Sequence, residues 1–204
     1  MSSPLTETSE SILTFWFGTS HDDATTAKAQ ASLWWSKNEH TDQEIQRRFE
    51  SSTEAMGRGE LDHWAESPRG LLAMVLLVDQ FPRNMYRNLP EAFAFDTLAL
   101  RWTLHALERG MDNHLLPIER VFLYLPLEHS ESRADQQRSV FLFEQLLKDV
   151  PTEHKEVFSG FLDYAIRHRD VIDRFGRFPH RNRILAREST AEEVAFLKEP
   201  GSSF

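Results

Sequence analysis

Apolar residues recur along the chain at the three-and-four spacing of an amphipathic helix, and no stretch alternates long enough to read convincingly as a strand. Ile12, Leu13, Phe15, Trp16 and Phe17 predict a short helix over Ser9–Phe17. Gly18 stops it, since glycine accepts the left-handed backbone of a helix C-terminus. A second helix is expected from Asp23 to Lys37 through Leu33-Trp34-Trp35, and Thr41 is the expected cap of a third that keeps Ile45, Phe49 and Met56 on one face up to Gly57. Pro68 opens the next helix. Its run Leu71–Val78 has a length that suits a buried strand, but leucine, alanine and methionine favour a central helix. Pro82 disfavours helical geometry at Phe81, so Asp79-Gln80-Phe81-Pro82-Arg83-Asn84 is expected as a turn.

Pro90 is expected to start a long helix, apolar at Phe93, Leu98, Leu100, Trp102, Leu104 and Leu107 and ended by Gly110. Pro117 and Pro126 bracket a short rod, Ile118–Leu125, ahead of a polar knot, Glu128-His129-Ser130-Glu131. Ser132–Lys148 reads as a further amphipathic helix. Pro151 begins another, with Phe158, Phe161, Leu162, Ala165, Ile172 and Phe175 on one face. Opposite them, Asp163, Arg167, Asp170 and Arg174 form a ladder of alternating charge worth ~0.3 to 0.5 kcal/mol per pair. Ser189-Thr190-Ala191-Glu192 has capping-box spacing before a last short helix to Lys198. The expected architecture is all-α: one domain over residues 1–204, built of antiparallel helix pairs.

With 204 residues, 40% of them hydrophobic, the chain has ample material for one core. A net charge of -9 argues against a nucleic-acid partner held on a broad basic surface. The lack of cysteine excludes disulfides, thiolate catalysis and cysteine-based zinc sites, and makes the cytoplasm the default compartment. The opening Met-Ser-Ser-Pro-Leu-Thr-Glu lacks the basic start of a signal peptide, and Leu71–Val78 is too short to span a bilayer, so no membrane association is expected.

Against this acidic background, Ala165–Arg187 holds seven arginines and two aspartates. Arg83, Arg174, Arg177 and Arg181, with Asn84 or Asn182, have the planar donors that grip a phosphate or carboxylate. In the competing reading, Asp79, Glu128, Glu131 and Asp173 occupy those arginines as ion pairs that pin the loops. His168 lies beside the apolar stripe of its helix, where a buried, hydrogen-bonded imidazole competes with a ligand or catalytic role. Glu128 and His129 are expected to pair with arginines of the C-terminal stretch. Candidates for acid–base chemistry are Asp79, Glu128, His129, His168, Asp173 and His180. Asp79, Glu128, His129, Glu131 and His168 have nitrogen and oxygen donors for a metal, but their spacing is not diagnostic and the arginines oppose a cation, so neither a metal nor a cofactor is indicated. Asp79–Asn84 and Asp173–Asn182 also echo one another as Asp-x-Phe, then Pro and Arg-Asn, through either duplication or convergence on good turn residues.

Several strings occur together and in order: Phe15-Trp16-Phe17-Gly18, Trp34-Trp35, Leu77–Asn84, Glu119-Arg120 through Glu131, Arg174–Asn182 and the terminal Pro-Gly-Ser-Ser-Phe. On these the chain resembles the bacterial and fungal family called domain of unknown function 924 over essentially its whole length. The resemblance implies a helical fold similar to the tetratricopeptide-repeat superfamily, although no 34-residue period is visible in this sequence. It implies no activity. Two functions remain open: a scaffold for a protein or peptide partner, suggested by the implied fold, and a binder of, or enzyme acting on, a small anionic ligand at the Arg/His/Asp cluster. An RNA-associated role for the basic stretch is weakened by the acidic remainder.

Overall fold

Helix α4 (Pro68–Met85) is the central rod of the protein. Ser67 caps its N-terminus by accepting from the Gly70 amide, and Pro68 occupies a first-turn position that needs no donor. Leu71 through Val78 are then all buried, so α4 has no solvent face there. The computed structural model describes residues 7–202; the opening Met-Ser-Ser-Pro-Leu-Thr and the last two residues of the terminal motif lie outside them. Among the described residues there are nine α-helices and no strand. The others are α1 (Ser9–Phe17), α2 (Asp23–Trp35), α3 (Glu39–Gly57), α5 (Asp96–Glu108), α6 (Pro117–Glu128), α7 (Arg133–Asp149), α8 (Lys155–Phe175) and α9 (Ala191–Phe196).

Around α4 pack α1, α3, α5 and α6; α7 lies between α6 and α8. The aromatic heart joins four of these helices, α1, α3, α4 and α6. Phe81 stacks on Phe49 at 4.5 Å between ring centres, and Trp16 stands 5.5 Å from both Phe81 and Phe122. Val171, Ile172 and Phe178, with Phe175 and Phe196 against them, form a second, smaller cluster at the C-terminal end. No helix of the described residues is long and apolar enough to cross a membrane.

Several expected boundaries move. α4 runs through Pro82 to Met85, so Asp79–Asn84 is helix rather than turn. Proline forfeits one helical hydrogen bond there, but burial of Phe81 in the aromatic heart holds the last turn in place. Pro126 is likewise inside α6. Pro90 starts only a 3-10 turn, Pro90–Phe93, and the α-helix begins at Asp96. Helix α8 follows a 3-10 turn in the same way. Asn38, not Thr41, caps α3, and the final capping box pairs Thr190 with Glu193, one residue later than its expected start. On α8, Arg167 meets Asp163 at 2.6 Å, but Asp170 pairs with Arg169 and Arg174 with Glu192, so the ladder stops after its first rung.

Candidate functional site

The last turns of α4, through Pro82, bury Asp79 and Gln80 and set Arg83, half-buried, beside them, facing the end of α6, the start of α5 and the segment that follows α8. Asp79 is wholly buried. Its carboxylate meets Nδ1 of His129 at 2.8 Å and accepts from Nε2 of Gln80 at 2.6 Å. A carboxylate can only accept, so Nδ1 of His129 carries the proton and Nε2 is the basic atom of the ring. Arg83 donates to the Asp79 carbonyl at 2.6 Å, while its Nη1 lies 2.9 Å from the Asp96 carboxylate. Arg181 reaches the same Asp96 at 3.3 Å. Its guanidinium lies between the rings of Phe93 and Phe178, 4.8 and 4.5 Å from their centres.

Charge in this site is set by burial and by neighbours. Burial by itself raises the Asp79 carboxyl, yet Arg83 and His129 outweigh it and hold the group well below the usual carboxylate range. Burial, then Arg83, lower the His129 imidazole, which is therefore neutral at neutral pH. Burial and the nearby Asp79 charge push Glu128 up to about 8. His168, which donates to the Tyr164 carbonyl at 2.8 Å and stands 3.0 Å from Glu128, is held down to about 3 mainly by burial. Glu128 and His168 are thus both neutral at pH 7 and stand in contact without forming an ion pair. His180 is also held down to about 3, by burial, Arg181 and His129. Burial and Arg83 bring Arg181 down to about 10. Nη2 of Arg83 and Nε of Arg181 are buried without a hydrogen-bond acceptor among the described residues.

The structure therefore brings together Asp79, Arg83, Glu128, His129, His168, His180 and Arg181. It places the other candidates elsewhere. Arg174 pairs with Glu192 at 2.9 Å, and Arg177 with Glu193 at 2.7 Å, where both hold α9. Asp173 is exposed, its carboxylate 3.8 Å from Arg133. Asn84 donates to Asp42 on α3, and Asn182 donates to Ser189 and accepts from Arg187. The expected pairing of Glu128 and His129 with C-terminal arginines does not form, because His168 and Asp79 reach them first. Glu131 instead grips Arg187 at 2.7 and 3.0 Å and accepts from the Phe178 amide. The two echoing segments differ too: Asp79 is inside a buried helix, while Asp173 is followed by the left-handed Gly176 that ends α8.

Sequence reasoning missed Asp96 and Phe93. The Asp96 position gives only the signal of an acid at a helix start, and its sharing by two arginines arises from packing. Among the described residues no group of three or more acidic or histidine side chains is arranged to hold a metal ion. Chemically, the site offers a neutral imidazole oriented by a buried carboxylate, beside two guanidinium groups with unused donors.

Comparison with known proteins adds a family and a fold. Residues 12–201 match the family model described as a bacterial protein of unknown function, DUF924. A solved structure of a protein of unknown function from Agrobacterium tumefaciens is 38% identical, with a TM-score of 0.79, over 93% of this chain and 96% of that one. No curated protein matches.

Proposed function

The chain belongs to the DUF924 family of bacterial proteins, and we propose that it binds a small acid, a phosphate or carboxylate, between Arg83 and Arg181, with His129 as the proton-accepting group beside it. The observation that carries this reading is the pair of unmet buried donors, Nη2 of Arg83 and Nε of Arg181. A buried N–H without an acceptor costs about 1–3 kcal/mol, more for a charged group, and an oxyanion supplies the missing acceptors. It would also relieve the repulsion between the two cations. The Asp79–His129 pair then has the geometry of a positioned general base: a carboxylate fixes the tautomer and leaves Nε2 to take a proton from the ligand or a water. A cytoplasmic setting suits a chain without cysteine. The scaffold alternative rests on likeness of fold and names no residue that would recognise a partner.

Thermal melting with inorganic phosphate, acetate and citrate tests the reading. Saturation to about a hundredfold over Kd adds ~2.7 kcal/mol, a rise of roughly 5–10 °C for a domain of this size. Arg83→Gln and Arg181→Gln should each abolish the rise. A rise that survives both substitutions, or no rise with any of the three acids, overturns it.

A further inference from the structure

We infer that residues 176–202 are a strap that closes over this site, that closure delivers Arg181 to it, and that a bound acid locks the strap shut. The opening stands on the architecture alone; the lock rests on the acid-binding reading above. Four observations point the same way. Arg181 and His180 lie on this one segment together with Phe178, whose ring packs on the Arg181 guanidinium, so one of the two guanidinium groups arrives with it. The segment leaves α8 at Gly176, whose φ of 69° is left-handed and where an added Cβ would meet nothing within 4 Å, so the pivot is unencumbered. The apolar seat of the strap is the small cluster of Ile172, Phe178 and Phe196 with their neighbours, separate from the main core. Lifting it leaves the aromatic heart closed. Finally, its charged ties to the helical body run to Glu131, to Asp96 and, at the exposed surface, to Arg174.

The same geometry couples ligand to closure. Closing presses the Arg181 guanidinium, still short of an acceptor at Nε, toward Arg83, which is short of one at Nη2. That juxtaposition of cations weighs against the closed form when it is empty. An oxyanion between the guanidinium groups removes it and binds the closed form selectively, which is the condition for a ligand to shift the equilibrium.

Hydrogen exchange followed by mass spectrometry on the full chain tests this. In the closed form the Phe178 amide donates to Glu131 of the helical body at 2.8 Å, and the Arg181, Asn182, Leu185 and Arg187 amides bond within the strap at 2.8 to 3.1 Å, so opening frees the first and exposes the rest to local unravelling. A strap that opens by itself makes these amides exchange at least about tenfold faster than those of Leu71–Val78 in α4. Glu131→Gln should speed the strap amides about tenfold further and leave α4 unchanged. Strap amides as slow as α4, or equal acceleration of both by Glu131→Gln, overturn the strap. Phosphate or citrate, whichever raises the melting temperature, should slow the strap amides in the wild type and not in Arg181→Gln. An acid that binds while the strap rate stays constant overturns the lock. If no acid binds but the strap still opens ahead of α4, the acid site and its lock fall together and the hinge stands.

Discussion

Helix α4 contains two kinds of burial within one rod. Leu71–Val78 is buried because its side chains are apolar on every face, and any close-packed apolar neighbours would satisfy it. Asp79 and Gln80 are buried just as thoroughly, but only because specific groups meet them: a histidine from the end of α6, an arginine one turn on, and beyond that arginine Asp96 from α5 and Arg181 from the strap. Removing a part of the first half leaves a hole. A deletion in the second half leaves charges without partners, and that difference separates structural packing from a site poised for chemistry.

The largest expected effects compare the two halves directly. Leu76→Ala and Asp79→Ala should each cost about 3–5 kcal/mol in denaturant unfolding, the first by a cavity, the second by stranding Arg83 and His129. Only the Asp79→Ala loss should shrink as pH falls below 3.8, because the depressed carboxyl stabilises the fold above its ordinary value and loses that advantage below it. If both losses are equally flat from pH 7 down to about 3, the polar half behaves as ordinary core and the comparison fails.

A medium effect comes from Glu128. Its folded-state value of about 8 lies above the ordinary 4.5, so the folded protein holds a proton that the unfolded chain releases. Stability from this group is complete below about 4.5 and lost as pH rises through about 8. Glu128→Gln should therefore melt higher than the wild type at pH 8, with the gap closing toward pH 4.5. His168 and His180 have the opposite sign: each is held at about 3 against an ordinary 6.5, so their contribution is present above 6.5 and is lost toward 3. A melting profile that stays level from pH 7 to 4 contradicts their burial as neutral rings. The smallest effect is at the rim: Arg174→Ala removes an exposed pair with Glu192 and should change stability by less than about 0.5 kcal/mol.

Much of the fold was legible because helical periodicity and caps are local. The strand-free architecture and the burial of Leu71–Val78 both follow from spacing and side-chain type. The prolines misled for the same reason. Pro82 and Pro126 oppose a helix locally, and packing of Phe81 and of the end of α6 overrides them from outside the segment. In the site, residue type singled out Asp79, His129, Arg83 and Arg181, but could not tell which arginine meets which carboxylate. Arg174 and Arg177 looked equivalent to Arg181 in sequence, and the path of the chain beyond Gly176 brings α9 back to them with Glu192 and Glu193.

The sequence by itself determined what each segment wants: helices where apolar residues repeat, a central rod where they are continuous, and a concentration of arginine, histidine and carboxylate that has to be reconciled with an acidic chain. The tertiary structure alone decided how those charges are reconciled. A hydrophobic side chain accepts any apolar neighbour, so its preference can be read locally. A buried charge is satisfied only by a particular atom at about 3 Å, and the partners of Asp79 and Arg83 come from parts of the chain that meet only in the folded protein.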